Sequence, residues 1–154
     1  MASNERIKVA ALVISGMSMI GIALHEGYVG HTYKDVVGVN TIGFGTTVGV
    51  KPGQTISVER ALVKLGSNVG EKEKAMKKCL GDVDLYQYEW DAYVSLTYNI
   101  GTGAFCKSTL VKKLKQADYP GACKEILRWN RGGGRVLDGL TKRRRDEYRQ
   151  CIGK

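Results

Sequence analysis

Five glycines fall among the residues running from Glu26 to Thr47, at positions 27, 30, 38, 43 and 45. The residues between them are largely β-branched or aromatic. Glycine so closely spaced forbids a long helix there and dictates short strands joined by tight turns. The stretch begins with a carboxylate, Glu26, placed where an apolar helical run stops, and Asp35 and Thr41 follow within it. A helix end feeding a small sheet lets Glu26 and Asp35 face each other across a cleft. Two carboxyl groups on opposite sides of one scissile bond are what glycoside hydrolysis requires.

Three segments carry a family resemblance. Glu26-x8-Asp35-x5-Thr41, with Thr-Ile-Gly-x-Gly starting at the threonine, resembles the active-site motif of the phage-type lysozymes (glycoside hydrolase family 24), the T-even lysozyme and its lambdoid endolysin relatives. Asn99-Ile-Gly-Thr-Gly-Ala-Phe105 with Ser108-Thr-Leu110 is similar to the substrate-lobe signature of the endolysin branch. Trp129, the glycine run 132–134 and Gly139-Leu-x-x-Arg-Arg-Arg-x-Glu147 resemble its C-terminal signature. The likeness covers roughly residues 17–151.

The resemblance implies a mainly helical α+β, two-lobed lysozyme-like fold, with a small β-sheet in the N-terminal lobe and a helical C-terminal lobe. Residues 25–66 would form the active-site lobe, 67–80 a connecting helix and 81–154 the helical lobe. It implies an endolysin that cleaves the β-1,4 bond between N-acetylmuramic acid and N-acetylglucosamine in peptidoglycan, lysing the host cell without metal or cofactor. Glu26 would be the general acid; Asp35 and Thr41 would position the attacking water, with inversion. Asn99, Phe105, Trp129 and Asn130 fall at saccharide and peptide contacts, where aromatics stack and amides hydrogen-bond. Arg143 is the arginine expected beside the glutamate. One departure stands out: many relatives carry a histidine where this chain has Thr46, which puts a local salt bridge in doubt rather than catalysis.

The run Val9–Leu24 contains no charge and follows the cations Arg6 and Lys8. It is slightly short of the roughly 18–20 residues a membrane-crossing helix needs, and Ser15, Gly16, Ser18 and Gly21 weaken its hydrophobicity. A cleaved signal peptide would damage the catalytic helix. An ordinary buried first helix is the second reading. The third, favoured by the resemblance, is a signal-anchor-release segment over residues 1–24. Its basic end would stay cytoplasmic, tethering the enzyme to the inner membrane at the host periplasm until a holin or pinholin collapses the potential.

Lysine and arginine number 24 against 15 acidic residues, giving +9. Such a field attracts polyanions without choosing among wall, lipid and nucleic acid. No nucleic-acid motif accompanies it, and a monomer is expected. The rival reading is a cationic membrane-permeabilising protein on a lysozyme scaffold. Cysteines 79, 106, 123 and 151 are either buried thiols or, outside the cytoplasm, disulfides. The resemblance places Cys123 and Cys151 on helices that could pack together, and makes a Cys79–Cys106 pair the less expected one.

Elsewhere the chain reads as helices. Ser57 is an N-cap, residues 84–99 form a helix buried nearly all round, and Gly101 and Gly103 stop it. Ser108 caps the stretch to Gln116, Pro120 opens a helix through Trp129, and a basic last helix starts at Thr141. The glycine run 132–134 is expected to be a loop.

Overall fold

A computed structural model describes residues 4–154. Cα packing divides the chain into two compact units. Among the described residues, one comprises Met19–Glu71 and the other residues 4–18 and 72–154.

The smaller unit begins within helix α1 (Gly16–Glu26). Gly27, at φ +69°, donates its amide to the Ala23 carbonyl (3.0 Å), a left-handed cap that ends the helix at Glu26 as expected. Strands β2 (Val29–Lys34) and β3 (Asn40–Gly43) pair antiparallel, with Tyr33 opposite Thr41, Lys34 opposite Asn40, and a register shift toward Val29. The chain at 54–56 lines the other edge of β2, through Thr32 N to Gln54 O (3.0 Å) and Ile56 N to Gly30 O (2.9 Å). Ile22, Ile42, Phe44, Ala61, Leu65 and Val69 are buried here.

Helix α2 (Val58–Leu80) is continuous, so the expected connecting helix over 67–80 is the second half of a longer one. Ser57 Oγ accepts the Arg60 amide (3.3 Å) and starts it. Gly66 and Gly70 pass through as tolerated helix residues, each weakening the helix by roughly 1 kcal/mol relative to alanine.

In the larger unit β1 (Ile7–Lys8) pairs antiparallel with β4 (Asp84–Leu85). Helix α3 (Gln87–Ile100) has every residue from Glu89 to Thr97 buried and ends at Gly101 (φ +91°). Three short helices follow, α4 (Thr102–Cys106), α5 (Thr109–Lys115) and α6 (Tyr119–Glu125). Ser108 caps α5 as read, its Oγ accepting the Val111 amide (3.3 Å). The helix opened by Pro120 tightens into a 3-10 turn at Ile126–Arg128 and stops before Trp129. Residues 132–134 are not a plain loop. Gly133 and Gly134 (φ +58° and +81°) make a two-residue turn between β5 (Arg131–Gly132) and β6 (Arg135–Val136), the geometry that paired positive φ angles favour. Helix α7 (Asp138–Cys151) closes the unit.

Both cysteine pairs are bridged, Cys79 to Cys106 and Cys123 to Cys151 (Cα–Cα 5.8 and 5.7 Å). The pairing expected to be the less favoured is therefore present alongside the other. The apolar run after Lys8 is not one helix either. It forms a 3-10 turn at Val9–Ala11, extends to Ser15, and becomes helical only in α1. No helix among the described residues is long and apolar enough to cross a membrane.

Candidate active site

The three catalytic candidates all lie in the smaller unit. Glu26, the last residue of α1, is partly buried. Its Oε2 lies against Gly45, 3.0 Å from where a Cβ would stand. Gly45 sits in a tight turn closed by reciprocal Ile42–Thr46 backbone hydrogen bonds (2.9 and 3.0 Å). Gly43 and Gly45 both have positive φ there, +66° and +78°, which L side chains rarely adopt. The Thr-Ile-Gly-x-Gly motif is thus a turn that brings bare backbone up to the glutamate.

Asp35 begins the turn between β2 and β3. One oxygen, Oδ1, accepts the amides of Val37 and Val39 (2.9 Å each), an arrangement for which aspartate is suited at turns. Oδ2 is left for another partner. Thr41 is 3% exposed. Its hydroxyl donates to the Val39 carbonyl (3.0 Å), which also accepts the Asp35 amide (3.0 Å). A single carbonyl therefore ties the Asp35 backbone and the Thr41 hydroxyl together. With its proton directed to Val39, the Thr41 oxygen can only accept a hydrogen bond from a water. Asp35 Oδ2 is a pure acceptor as well. Together they suit a water that gives up one proton and is steered by the other.

Thr46, where many relatives have histidine, is buried and accepts a hydrogen bond from Asn68 Nδ2 on α2 (3.1 Å). A neutral hydrogen bond thus holds this turn to the helix. Sequence reasoning passed over Val39, Gly45 and Asn68 as participants; only the motif glycine carried a signal.

The remaining candidates lie in the larger unit. Asn99 is exposed at the end of α3, and Trp129 is partly exposed after the 3-10 turn. Asn130 donates from Nδ2 to Thr141 Oγ1 (3.2 Å), and its carbonyl accepts the Leu137 amide (3.0 Å), so it braces the base of the β5–β6 hairpin. Phe105 is a correction. It is fully buried and packs a tilted ring against Tyr93 at 6.3 Å, leaving no face for a sugar. Arg143 is buried on α7, donating to Glu147 Oε1 (3.2 Å) and the Ser95 carbonyl (3.3 Å). Fully buried Arg144 lies 2.8 Å from Glu147 Oε2. Burial pushes the Glu147 carboxyl above its ordinary range, against the pull of Arg144, Ser95 and Arg143. Among the described residues no group of histidine, cysteine or acidic side chains could hold a metal ion.

A helix-terminal glutamate beside a glycine turn, with an aspartate–threonine pair on the next hairpin, sits on a mainly helical α+β fold of the lysozyme class. The chain belongs to the phage lysozyme family, whose model matches residues 23–147. It is 39% identical over 137 residues to the endolysin of Bacillus phage B103, covering 85% of this chain but 52% of that protein. The chain therefore spans about half the length of that relative. It is 32% identical over 151 residues to the SAR-endolysin of Bacteriophage PS34, covering 97% of this chain and 89% of the relative. The solved endolysin from Escherichia coli O157:H7 phage FAHEc1 superposes with a TM-score of 0.82 at 32% identity, covering 93% of this chain and 95% of that one.

Proposed function

We propose that this protein is an endolysin that hydrolyses the β-1,4 bond between N-acetylmuramic acid and N-acetylglucosamine in peptidoglycan. Glu26 gives its proton to the glycosidic oxygen as the bond to the anomeric carbon breaks. A water attacks that carbon from the opposite face, passing one proton to Asp35 Oδ2 while its other O–H is accepted by Thr41 Oγ1. One water is consumed, and the anomeric configuration inverts. What supports this reading is that the Val39 carbonyl accepts both the Thr41 hydroxyl and the Asp35 amide. Asp35 Oδ1 is taken by the Val37 and Val39 amides, which leaves Thr41 Oγ1 and Asp35 Oδ2 as acceptors at the same hairpin. Asn99, Trp129 and Asn130 are the proposed wall contacts, and Arg143 the supporting cation. The surplus of cations draws the enzyme to wall peptides carrying carboxylates, an attraction that salt weakens.

The same proposal extends to where the enzyme waits. Residues 9–24 are free of charge and follow two cations, and the PS34 relative is named a SAR-endolysin. As one helix these residues would measure about 24 Å, against a hydrocarbon core of about 30 Å. Lipid offers exposed backbone groups no partners, so a tethered form makes the 9–15 region helical, and release unwinds it into the 3-10 and extended path described above. The enzyme then acts in the periplasm after a holin or pinholin dissipates the membrane potential.

The deciding experiment is clearing of peptidoglycan stripped of membranes, by the wild type and by Glu26→Gln. Clearing by wild type and not by the variant supports acid catalysis at Glu26. If neither clears bare wall while both still permeabilise cells, the membrane-active reading replaces it.

A further inference from the structure

Residues 6–15, which precede α1, are held by a set of acidic and aromatic side chains. Arg6 donates from Nε to Glu89 Oε1 (2.9 Å) and from Nη2 to Oε2 (3.3 Å). Its guanidinium carbon lies 3.6 Å from the centre of the Tyr119 ring and 4.3 Å from that of Tyr86. The Glu89 side chain is only 2% exposed. Lys8 Nζ reaches Asp82 (2.8 Å) and Asp84 (3.1 Å). Beyond them, Val9 donates its amide to Val83 O (2.9 Å). Buried Glu73 and Asp91 accept the amides of Ile14 (2.8 Å) and Ser15 (2.9 Å).

This is a receptor for one particular segment. A planar cation between two aromatic rings, forked onto a carboxylate, is a site that arginine fills and lysine does not. Without the segment, Glu89 keeps its bond from the Tyr86 amide (2.8 Å) but loses the cation of its ion pair. The same two cations have another class of acceptor. At the cytoplasmic end of a membrane segment they face anionic lipid headgroups, each cation contributing about 1 kcal/mol. Arg6 and Lys8 therefore have two alternative sets of anionic partners, one in the bilayer surface and one in the enzyme.

We infer that Arg6 is a latch: its capture by Glu89 between Tyr86 and Tyr119 competes with anionic headgroups and holds the N-terminal segment in the enzyme once it has left the bilayer. The inference rests on the anchor reading given above. Arg6 is a positioning residue, touching no substrate.

The test uses the full chain and two variants. Tyr119→Leu opens the receptor and leaves the segment, with its own membrane affinity, unchanged. Arg6→Lys keeps the charge and loses the fork. Amide exchange at Val9, Ile14 and Ser15 should quicken by about 3- to 10-fold in both, while Leu96 in α3 holds its protection. In flotation with phosphatidylethanolamine–phosphatidylglycerol vesicles the bound fraction should rise by a similar factor, with no rise on phosphatidylcholine. Unchanged exchange at the three amides overturns the latch whatever the membranes do, and so does faster exchange that includes Leu96, because the effect is then global. Faster local exchange with no vesicle binding by any form overturns the anchor reading and the competition built on it. An equal rise on both lipids overturns the headgroup competition.

Discussion

Gly45 presents bare backbone to the carboxylate of Glu26: a Cβ there would stand 3.0 Å from Oε2, at a φ of +78°. Gly45→Ala should therefore act twice, through left-handed strain of roughly 1–2 kcal/mol and by displacing the proposed acid. Gly53 has nearly the same φ, +77°, but open space around it. Gly53→Ala carries the strain alone. The expected result is comparable loss of melting temperature in the two variants, with wall-clearing activity retained by Gly53→Ala and reduced about 100-fold in Gly45→Ala, the scale of a misplacement of about 1 Å. Equal activities would remove Gly45 from the site.

Thr41 separates hydroxyl chemistry from packing. Thr41→Ser keeps the bond to the Val39 carbonyl and the acceptor oxygen, and should retain activity to within about tenfold. Thr41→Val keeps the shape and loses both. Its turnover should fall by about 100-fold, the low end of what a positioned acid–base group contributes, while stability changes by only about 1 kcal/mol. Turnover and melting of both variants, measured side by side, check this; a fully active valine variant would leave Thr41 a strand residue.

The positions legible in the sequence are those that local structure sets. Glu26 ends a helix because Gly27 follows it, and Asp35 occupies its turn because its own side chain caps the next amides. Nothing local marks Ile7–Lys8 as a strand, since its partner lies at Asp84–Leu85. Arg6 read as the basic flank of an apolar run because Glu89 is far away in sequence. Phe105 was misread for a related reason. An aromatic beside glycines looks the same whether its ring meets a sugar or, as here, Tyr93. The Cys79–Cys106 bridge likewise depends on α2 meeting α4, which no spacing reveals.

Each disulfide closes a loop across a separation of 27 or 28 residues. Chain-entropy reasoning assigns a loop of that length about 3.5 kcal/mol. Cys123→Ala with Cys151→Ala should therefore lower the melting temperature by roughly 7–14 °C, taking about 2–4 °C per kcal/mol for a domain of this size. Reductant should melt the wild type earlier and leave a variant lacking all four cysteines unmoved. Melts with and without reductant decide it, and a wild type indifferent to reductant would mean that the bridges contribute little.

Glu125 gives the folded state a pH dependence of known sign. Its side chain is 13% exposed and accepts from Lys113 and Arg128, each at 3.1 Å. Burial raises its pKa, but those two hydrogen bonds outweigh burial and hold the carboxyl below its ordinary value. A carboxylate whose folded pKa lies below its unfolded one contributes stability above the unfolded value and loses it as pH falls through the folded value. Because Arg128 is largely exposed, the contribution is modest, about 0.5–1 kcal/mol. Glu125→Gln should be less stable than wild type by that amount at pH 7. The difference should shrink once the pH drops below the ordinary glutamate value of 4.5. Urea melts of both proteins from pH 7 to pH 3 test this, and a gap that widens toward acid would reverse the assigned sign.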